Sequence, residues 1–597
     1  MPPTSIAEGR TPPAALVTTL ARFGHLAAAG AIAAAVLVLV FVPYSLPPIT
    51  DYYLVVQDAP VLLFIAGFFL LLHMCLRAGF AAAPAWLEPR YHQGSSLWLA
   101  VGAACLTVYV GTRLVYRDYG LSMDEFMAQF DATIVAAGKL LAPVAPEWRD
   151  LVPALQPIFR LPIPDNASWV SSYLPMNAVL RAGFLWLGSP ALTGVALAGV
   201  SLVALYGIAR RLWPDRPDAA ILSVALLASS AQFLVTAMTP YAMTAHLALN
   251  LVWLWLFLRG TWRGHIAAVA VAFVACGLHQ VVFHPLFAAP FLMSLVLARK
   301  WRLAGFYGAA YAATGLFWVL YWSLLLGAAG AAPEQSADVG LAYLLRRIAD
   351  MVDLQMSSLV LMAMNLARFL AWQAPFMLPL AFVGALVCRG RSAVLSNLSL
   401  GIVLTLAAVL VLMPFQGHGW GYRYLHGLLG SVALLAAQGW IWLTDRLPRL
   451  RRQLALAVLL SIVASVVMLL PWRLVQVHAF VRPYAAASAA IAGAGADVVL
   501  VDASNVWYGV DLVRNDPFLR AQPKVLNLAS LQERHLRAIC DRHRVAIFDA
   551  ADASTLGVRL APGIPPNAVV RVQGLREVMR RLGCGTEHVV TRSSSRP

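Results

Sequence analysis

The chain has 597 residues, 60% of them apolar and only 12% charged, and a formal net charge of +16. Soluble domains run about 45–50% apolar and about 25% charged, so the string of about four soluble domains that length alone suggests is excluded. Disorder, a collagen-like chain and a disulfide scaffold are excluded with it, and a lipid bilayer is the solvent that this composition implies.

The charge balance, 44 Lys and Arg against 28 Asp and Glu, superficially suggests a nucleic-acid partner. Many of the basic residues sit in short gaps between apolar runs, so the balance reads as topology and no nucleic-acid partner is expected. Lysine occurs only at Lys139, Lys300 and Lys524, and Ala and Arg abound, the bias of a high-GC bacterial genome. The six cysteines show no CxxC or metal-ligand spacing. Cys75, Cys105, Cys276 and Cys388 fall in apolar runs, as small core residues do. Cys540 and Cys584 lie in the polar C-terminal region, where a pair could form.

A bilayer-crossing helix needs about 20 mostly apolar residues, because its backbone can hydrogen-bond only internally. About thirteen stretches qualify: 26–44, 59–77, 96–115, 190–209, 218–236, 240–258, 265–283, 285–299, 303–327, 358–387, 394–413, 424–443 and 454–471. The weakest is 285–299, which is short and carries Pro285 and Pro290. Inner connections then hold Arg10 and Arg22; Arg77 and Arg90; Arg210, Arg211 and Arg216; Arg259 and Arg263. They continue with Arg299, Lys300 and Arg302; Arg389 and Arg391; and Arg446, Arg449, Arg451 and Arg452. The connections at 45–58, at 237–239 and around His284 hold no Lys or Arg. That asymmetry puts the N-terminus in the cytoplasm of a bacterial inner membrane. Residues 116–189, 328–357, 414–423 and 472–597 then fall on the outer, periplasmic face. The first apolar run could be a cleaved signal, but Pro43-Tyr44-Ser45 follows it without an A-x-A site, which favours an anchor.

The expected organisation is an α-helical polytopic membrane protein with four regions. They are N-terminal transmembrane helices (1–115), a first outer loop with interfacial helices (116–189), a transmembrane core (190–471) and a small C-terminal α/β domain (472–597). In the last, 497–502, 524–528 and 545–550 read as buried parallel strands and 530–543 as a helix between them. Gly493-Ala494-Gly495 precedes the first strand and so is no dinucleotide loop, which should follow one. Asp502 and Asp549 end strands, where α/β folds place ligands and also turn residues. The final RSSSRP reads as a disordered tail.

The first outer loop opens on Arg117-Asp118-Tyr119-Gly120-Leu121-Ser122-Met123-Asp124-Glu125-Phe126 and continues to Phe130-Asp131. Ser122-x-x-Glu125 is a capping-box pattern, which accounts for Glu125 and leaves Asp124 as either a functional carboxylate or a solvated helix start. On such a helix Asp124 and Asp131 share a face, and Glu125 is turned away by about 100°. Then come Trp169, Tyr173, Pro175 and Asn177 and an amphipathic stretch to Gly188-Ser189-Pro190, the pattern of a helix lying in the interface. A span closed by Ala209-Arg210-Arg211-Leu212 and the small-residue segment Ser229-Ser230-Ala231-Gln232-Phe233 follow.

Over residues 110–260 this order resembles the GT-C superfamily of polytopic glycosyltransferases, especially its protein mannosyltransferase and aminoarabinose transferase branch. The resemblance implies a polyprenyl-phosphate-linked sugar donor. It also implies a carboxylate in the first outer loop that activates the acceptor or anchors a metal, here Asp124 with Glu125 beside it. The resemblance fixes no cofactor, and a divalent metal stays open. The chain departs from the pattern in two extra N-terminal spans. It also shows Ser171-Ser172-Tyr173-Leu174-Pro175 where relatives often show a His-Pro-Pro-Leu type start, so the acceptor does not carry over.

The chemistry points the same way independently. A polyprenyl phosphate leaves as a stable anion, so the site must supply a base for an acceptor hydroxyl and cations for the phosphate. Outward-facing cations are scarce. The stretch Gln416-Gly417-His418-Gly419-Trp420-Gly421-Tyr422-Arg423-Tyr424 offers Arg423, suited to bidentate phosphate contact, with Tyr422 and His418 beside it. The plainer reading is an aromatic belt with a snorkelling Arg. Similar Gly-Trp-x-x-Arg-Tyr segments occur in relatives of the superfamily. His279 and His284, astride an outward turn, could meet phosphate, bind a metal without helical i,i+4 register, or simply pack. Asp131, Tyr173 and Trp420 are candidates for lining the site or holding the acceptor. Arg346 and Arg347 are further cations of an outer loop, more in keeping with a solvated face.

The function expected is transfer of a hexosyl or pentosyl group from the carrier to a lipid, glycan or protein acceptor at the outer face, among membrane lipids. Two alternatives compete with it. A transporter or flippase of lipid-linked sugars should show internal repeats, and none is found. A polymerase or ligase using a diphosphate-linked donor should concentrate Arg and His in large late outer loops. Topology is directly testable: alkaline phosphatase fused to the C-terminus should be active and a cytoplasmic fluorescent reporter dark, and the reverse pattern would mean a miscounted span.

Overall fold

The computed structural model describes residues 14–42, 46–77, 93–330, 349, 356–561, 566–585 and 587–590. Arg10, Pro43-Tyr44-Ser45, Arg90, Arg346, Arg347 and the RSSSRP tail lie outside the described residues. The molecule is mainly helical with a small C-terminal α/β unit, but its helices are cut differently from the expected thirteen. Among the described residues eight are long and apolar enough to cross a membrane, or nine if a bent pair counts as one span.

The difference lies in breaks that a hydropathy window sums across. The stretch 218–236 is two helices, Pro217–Ala228 and Ala231–Ala237, bent by 57°. Ser230 between them caps the second, its hydroxyl accepting from the Phe233 amide at 3.1 Å. The stretch 358–387 splits into Met356–Ala371 and Met377–Val387, and the Phe376 amide at the break donates to the Ser461 hydroxyl at 3.0 Å. Met243–Phe257, Trp262–Cys276 and Phe283–Leu297 have 15 residues each. At 1.5 Å per residue such helices reach about 22 Å, short of a hydrocarbon core of about 30 Å. Irregular backbone at that depth is tolerable only where protein surrounds it, as it does at these buried breaks. The expected span 454–471 is part of a longer helix that runs from Pro448 to Ala492 and carries the chain into its C-terminal unit.

Close helix packing is built from small residues. Met377–Val387 lies against Leu429–Arg446 with Gly384 and Gly439 at the crossing. A Cβ on Gly384 would come within 1.8 Å of the Leu435 carbonyl oxygen, and one on Gly439 within 2.1 Å of that of Leu380. Backbones approach this closely only where no side chain intervenes.

On one side of the helical body, the loop helix Met123–Ala136 packs against the interfacial helix Met176–Trp186, and the Trp186 indole donates to the Ala136 carbonyl at 2.9 Å. A short antiparallel pair, Ala142–Pro143 with Ser168–Trp169, folds the rest of this loop back. The C-terminal unit is a four-stranded parallel sheet in the spatial order Lys524–Asn527, Val498–Val501, Val545–Phe548 and Glu587–His588. Helix Glu533–Arg542 lies where 530–543 was expected to be helical, and Cys540 and Cys584 are disulfide-bonded. Gly439→Val should destabilise the molecule by about 2–3 kcal/mol, the cost of forcing volume into a packed crossing; a thermal melt in detergent that matched the parent chain would contradict it.

Candidate functional site

The loop helix is fixed at its first turn. The Ser122 hydroxyl caps it by accepting from the Glu125 amide at 3.4 Å. The Glu125 carboxylate reaches past the cap to the Leu121 amide at 2.8 Å and the Tyr116 hydroxyl at 3.3 Å. It thereby closes the turn in which Arg117 and Asp118 adopt positive φ, a variant of the capping role anticipated for it. Burial pushes its pKa up to about 8.

Asp124 and Asp131 do share a face, the one turned toward residues 168–173. Asp131 accepts from the Ser171 amide at 3.1 Å and from the Ser171 hydroxyl, and burial raises its pKa to about 7. It is a buried strut for this segment. Asp124 accepts from the Tyr173 hydroxyl and forms an ion pair with Arg423, Nη1 to Oδ2 at 2.9 Å. Burial alone would favour its neutral form, but Arg423 and Tyr173 outweigh burial and hold its carboxyl below the ordinary range. The His279 ring stacks on Tyr173 at 4.7 Å between centroids, which brings it beside the pair.

Arg423 reaches Asp124 because the preceding loop is tightly folded. Its side chain runs across Gly419, where φ is +156° and a Cβ would sit 3.1 Å from Arg423 Cδ. Its amide donates to Gln416 Oε1 at 3.1 Å. The guanidinium lies 5.4 Å from the centre of the Tyr241 ring and 5.3 Å from that of Tyr424. A cavity of about 20 Å³ behind it is lined by His246, Asn250, Thr405 and Tyr424 among others.

Beneath this loop lies a cluster that the sequence reading missed. Asp58 pairs with Arg368 at 2.9 Å and with Arg473 at 3.0 Å, all three side chains buried. Arg368 in turn donates to the carbonyls of Gly421 at 2.9 Å and Gly419 at 2.7 Å. An Arg inside the apolar stretch 358–387 was the available signal, since a charge at that depth usually has a partner and a task.

The C-terminal unit grips the loop helix from the other side, which nothing in the sequence signalled. Asp511 Oδ1 accepts from the Met123 amide at 3.2 Å, and Arg514 donates to the Leu121 carbonyl at 2.8 Å while lying 3.9 Å over the Tyr119 ring. The Trp169 indole donates to the Pro517 carbonyl at 2.7 Å. Burial raises the Asp511 carboxyl to about 7.

Four of the expected phosphate or site-lining residues take other places. His284 has both ring nitrogens committed, to Asn250 at 2.8 Å and to Tyr311 at 2.9 Å. His418 packs on Tyr508, 4.0 Å between ring centres, and burial takes its pKa down to about 3, so it brings no charge to a phosphate. Tyr422 is buried with its hydroxyl 3.5 Å from Met362 Sδ, and its carbonyl accepts from Gln232 at 2.8 Å. Trp420 donates from its indole to the Tyr116 hydroxyl behind the loop. These residues shape the loop, and they leave Arg423 as the cation in contact with Asp124.

A divalent metal does not fit here. Both Asp124 oxygens are taken, Glu125 faces the opposite way and Asp131 is spent on Ser171. Among the described residues the one acidic and histidine group close enough to share an ion is Asp549, Asp552 and His588. There Asp549 caps a helix and shares Arg576 with Asp502, at 3.1 and 2.7 Å, so both strand-end aspartates have structural work.

No protein-family model and no curated protein matches the chain. Solved structures similar to it include two of ArnT from Cupriavidus metallidurans. The one bound to undecaprenyl phosphate is 12% identical, with a TM-score of 0.48, over 82% of this chain and 89% of ArnT. The one in the apo state is 13% identical, with a TM-score of 0.45, over 77% and 86%.

Asp511→Ala should speed hydrogen exchange at the first amides of the loop helix by about tenfold, the worth of about one hydrogen bond. Exchange at Met123 and its neighbours equal to the parent chain would show that the C-terminal contact does not hold the helix.

Proposed function

We propose that the chain is a GT-C type glycosyltransferase that moves a hexosyl or pentosyl group from a polyprenyl-phosphate carrier to a lipid, glycan or protein acceptor. The proposed place of transfer is the outer face of a bacterial inner membrane. The observation that carries this reading is the contact between Asp124 and Arg423, 299 residues apart in sequence and 2.9 Å apart in space. It brings together the two groups such a transfer needs, a carboxylate base and a cation for the departing phosphate.

The pair also suggests an order of events. With Arg423 and Tyr173 bound to it, Asp124 is a poor base. A donor phosphate engages the Arg423 guanidinium, which binds phosphate bidentately, and draws it from the carboxylate. Asp124 then loses its countercharge while staying buried, and its proton affinity rises. It takes the proton of the acceptor hydroxyl as that oxygen attacks the anomeric carbon. The carbon–oxygen bond to the phosphate breaks, the configuration inverts and polyprenyl phosphate leaves as the anion. Tyr173 remains as the donor that orients the carboxylate, with His279 stacked behind its ring.

The test uses full-length protein in liposomes with a panel of labelled hexoses and pentoses on undecaprenyl phosphate, the lipid held by one ArnT crystal structure. Asp124→Asn should lower transfer by about 10²-fold or more, the usual contribution of a general base. Arg423→Gln should raise the KM for the donor more than that for the acceptor. Transfer at the parent rate by folded Asp124→Asn protein would remove the proposed base.

A further inference from the structure

The loop helix has a second polar face. Gln129 and Thr133 lie on it, turned away from Asp124, and they line a cavity of about 200 Å³ that is separate from the Arg423 loop. The cavity lies between the loop helix, the interfacial helix, the end of helix Gln93–Leu114, the start of helix Leu192–Leu212 and the turn at 237–240. Its polar lining comes from Thr112, Tyr119, Gln129, Thr133, Arg181 and Thr239, beside Asp118.

Arg181 is the decisive group. It is 6% exposed, and its Nη2 donates to the carbonyls of Thr239 at 3.1 Å and Tyr241 at 3.5 Å. Its Nε has no partner, and it makes no ion pair with any described carboxylate. Asp118 at the rim is already paired with Arg113 at 2.9 Å. The charge of Glu125 acts on Arg181 across a distance, but its carboxylate is turned to the Leu121 amide and the Tyr116 hydroxyl and makes no contact with the guanidinium. Removing a charge from water costs several kcal/mol even after relaxation, so a buried guanidinium with a free Nε and no contacting carboxylate is a fit seat for an anion. The Tyr119 hydroxyl, also buried and without a partner, is a further polar group on the wall. The surroundings indicate where that anion comes from. Leu114, Trp186 and Leu187 are exposed apolar side chains at the ends of the helices that frame the cavity, where a membrane-spanning helix meets the headgroup layer.

We propose that this cavity is a second anion site, which seats the phosphate of a membrane lipid headgroup against Arg181, apart from the Asp124 and Arg423 pair. The inference does not depend on the transfer reaction, and its test reads lipid binding alone. Full-length protein is reconstituted in phosphatidylcholine nanodiscs containing phosphatidic acid as the probe, and retained lipid is counted by native mass spectrometry after extraction. Phosphatidic acid should be retained over phosphatidylcholine. Retention should fall by about tenfold in Arg181→Gln, the worth of one charge-assisted hydrogen bond. Ala191→Phe, which fills the cavity wall and leaves Arg181 in place, should lose the lipid equally, and it decides the matter if Arg181→Gln fails to fold. Parent-like retention in Ala191→Phe, or in folded Arg181→Gln, overturns the site. Loss of retention in Arg423→Ala would move the lipid to the Asp124 face and overturn the separation. Displacement of the lipid by inorganic phosphate alone would make the free ion the ligand and overturn the headgroup assignment.

Discussion

The buried carboxylate of Asp58 is what the site rests on. It is held between two guanidiniums, Arg368 at 2.9 Å and Arg473 at 3.0 Å, and also accepts from the Trp372 indole at 2.9 Å. Each Arg lies over an aromatic ring, Arg368 3.7 Å above Tyr53 and Arg473 4.4 Å above Trp372, which shields the charges from the apolar surroundings. Such a cluster adds little net stability compared with apolar packing. Removing one member, however, strands the others at a cost of about 3–5 kcal/mol, which makes the arrangement close to all-or-none. Because Arg368 also grips the Gly419 and Gly421 carbonyls, the same cluster sets the path of the loop that delivers Arg423.

A second support comes from the far end of the chain. The acidic loop helix takes its N-terminal contacts partly from its own Ser122 and partly from Asp511, 388 residues away. An acidic group at this position meets unpaired amides and the positive end of the helix dipole, so it fixes orientation as well as adding energy. The Asp124–Arg423 pair thus joins two loops, each braced by a different set of residues: the glycine loop by Arg368 with Asp58 and Arg473, the acidic loop by Asp511 and Arg514 of the C-terminal unit.

The legible parts of this arrangement were local. The shared face of Asp124 and Asp131, the rotation of Glu125 away from it, the helix after Pro175 and the parallel strands all follow from short-range periodicity, and the Cys540–Cys584 bond joins the two cysteines that lie together in the polar C-terminal region. The span count was not legible, because Ser229-Ser230 and Gln373-Ala374-Pro375 sit among apolar residues and a hydropathy sum passes over them. Nor were the true places of His284, His418 and Tyr422 legible: residue type announces a polar group but does not say whether its partner is a ligand or a buried Asn, Tyr or Met. Asp58 and Asp511 were missed for the complementary reason, since each acts on a segment more than 300 residues distant and leaves no trace in its own neighbourhood.

The helical run from Pro448 to Ala492 links the two supports of the site along one segment of chain. At 1.5 Å per residue its 45 residues measure about 68 Å, well beyond the thickness of a hydrocarbon core. Arg473 sits on this run next to Asp58, and the run ends just before the first strand of the unit that holds Asp511. Helices longer than the bilayer are accommodated by tilt, and this one carries Arg473, one brace of the Asp124–Arg423 pair, and leads into the unit that holds the other, Asp511. One continuous stretch of chain thus connects the brace of the glycine loop, on its bilayer-length part, with the brace of the acidic loop beyond its end.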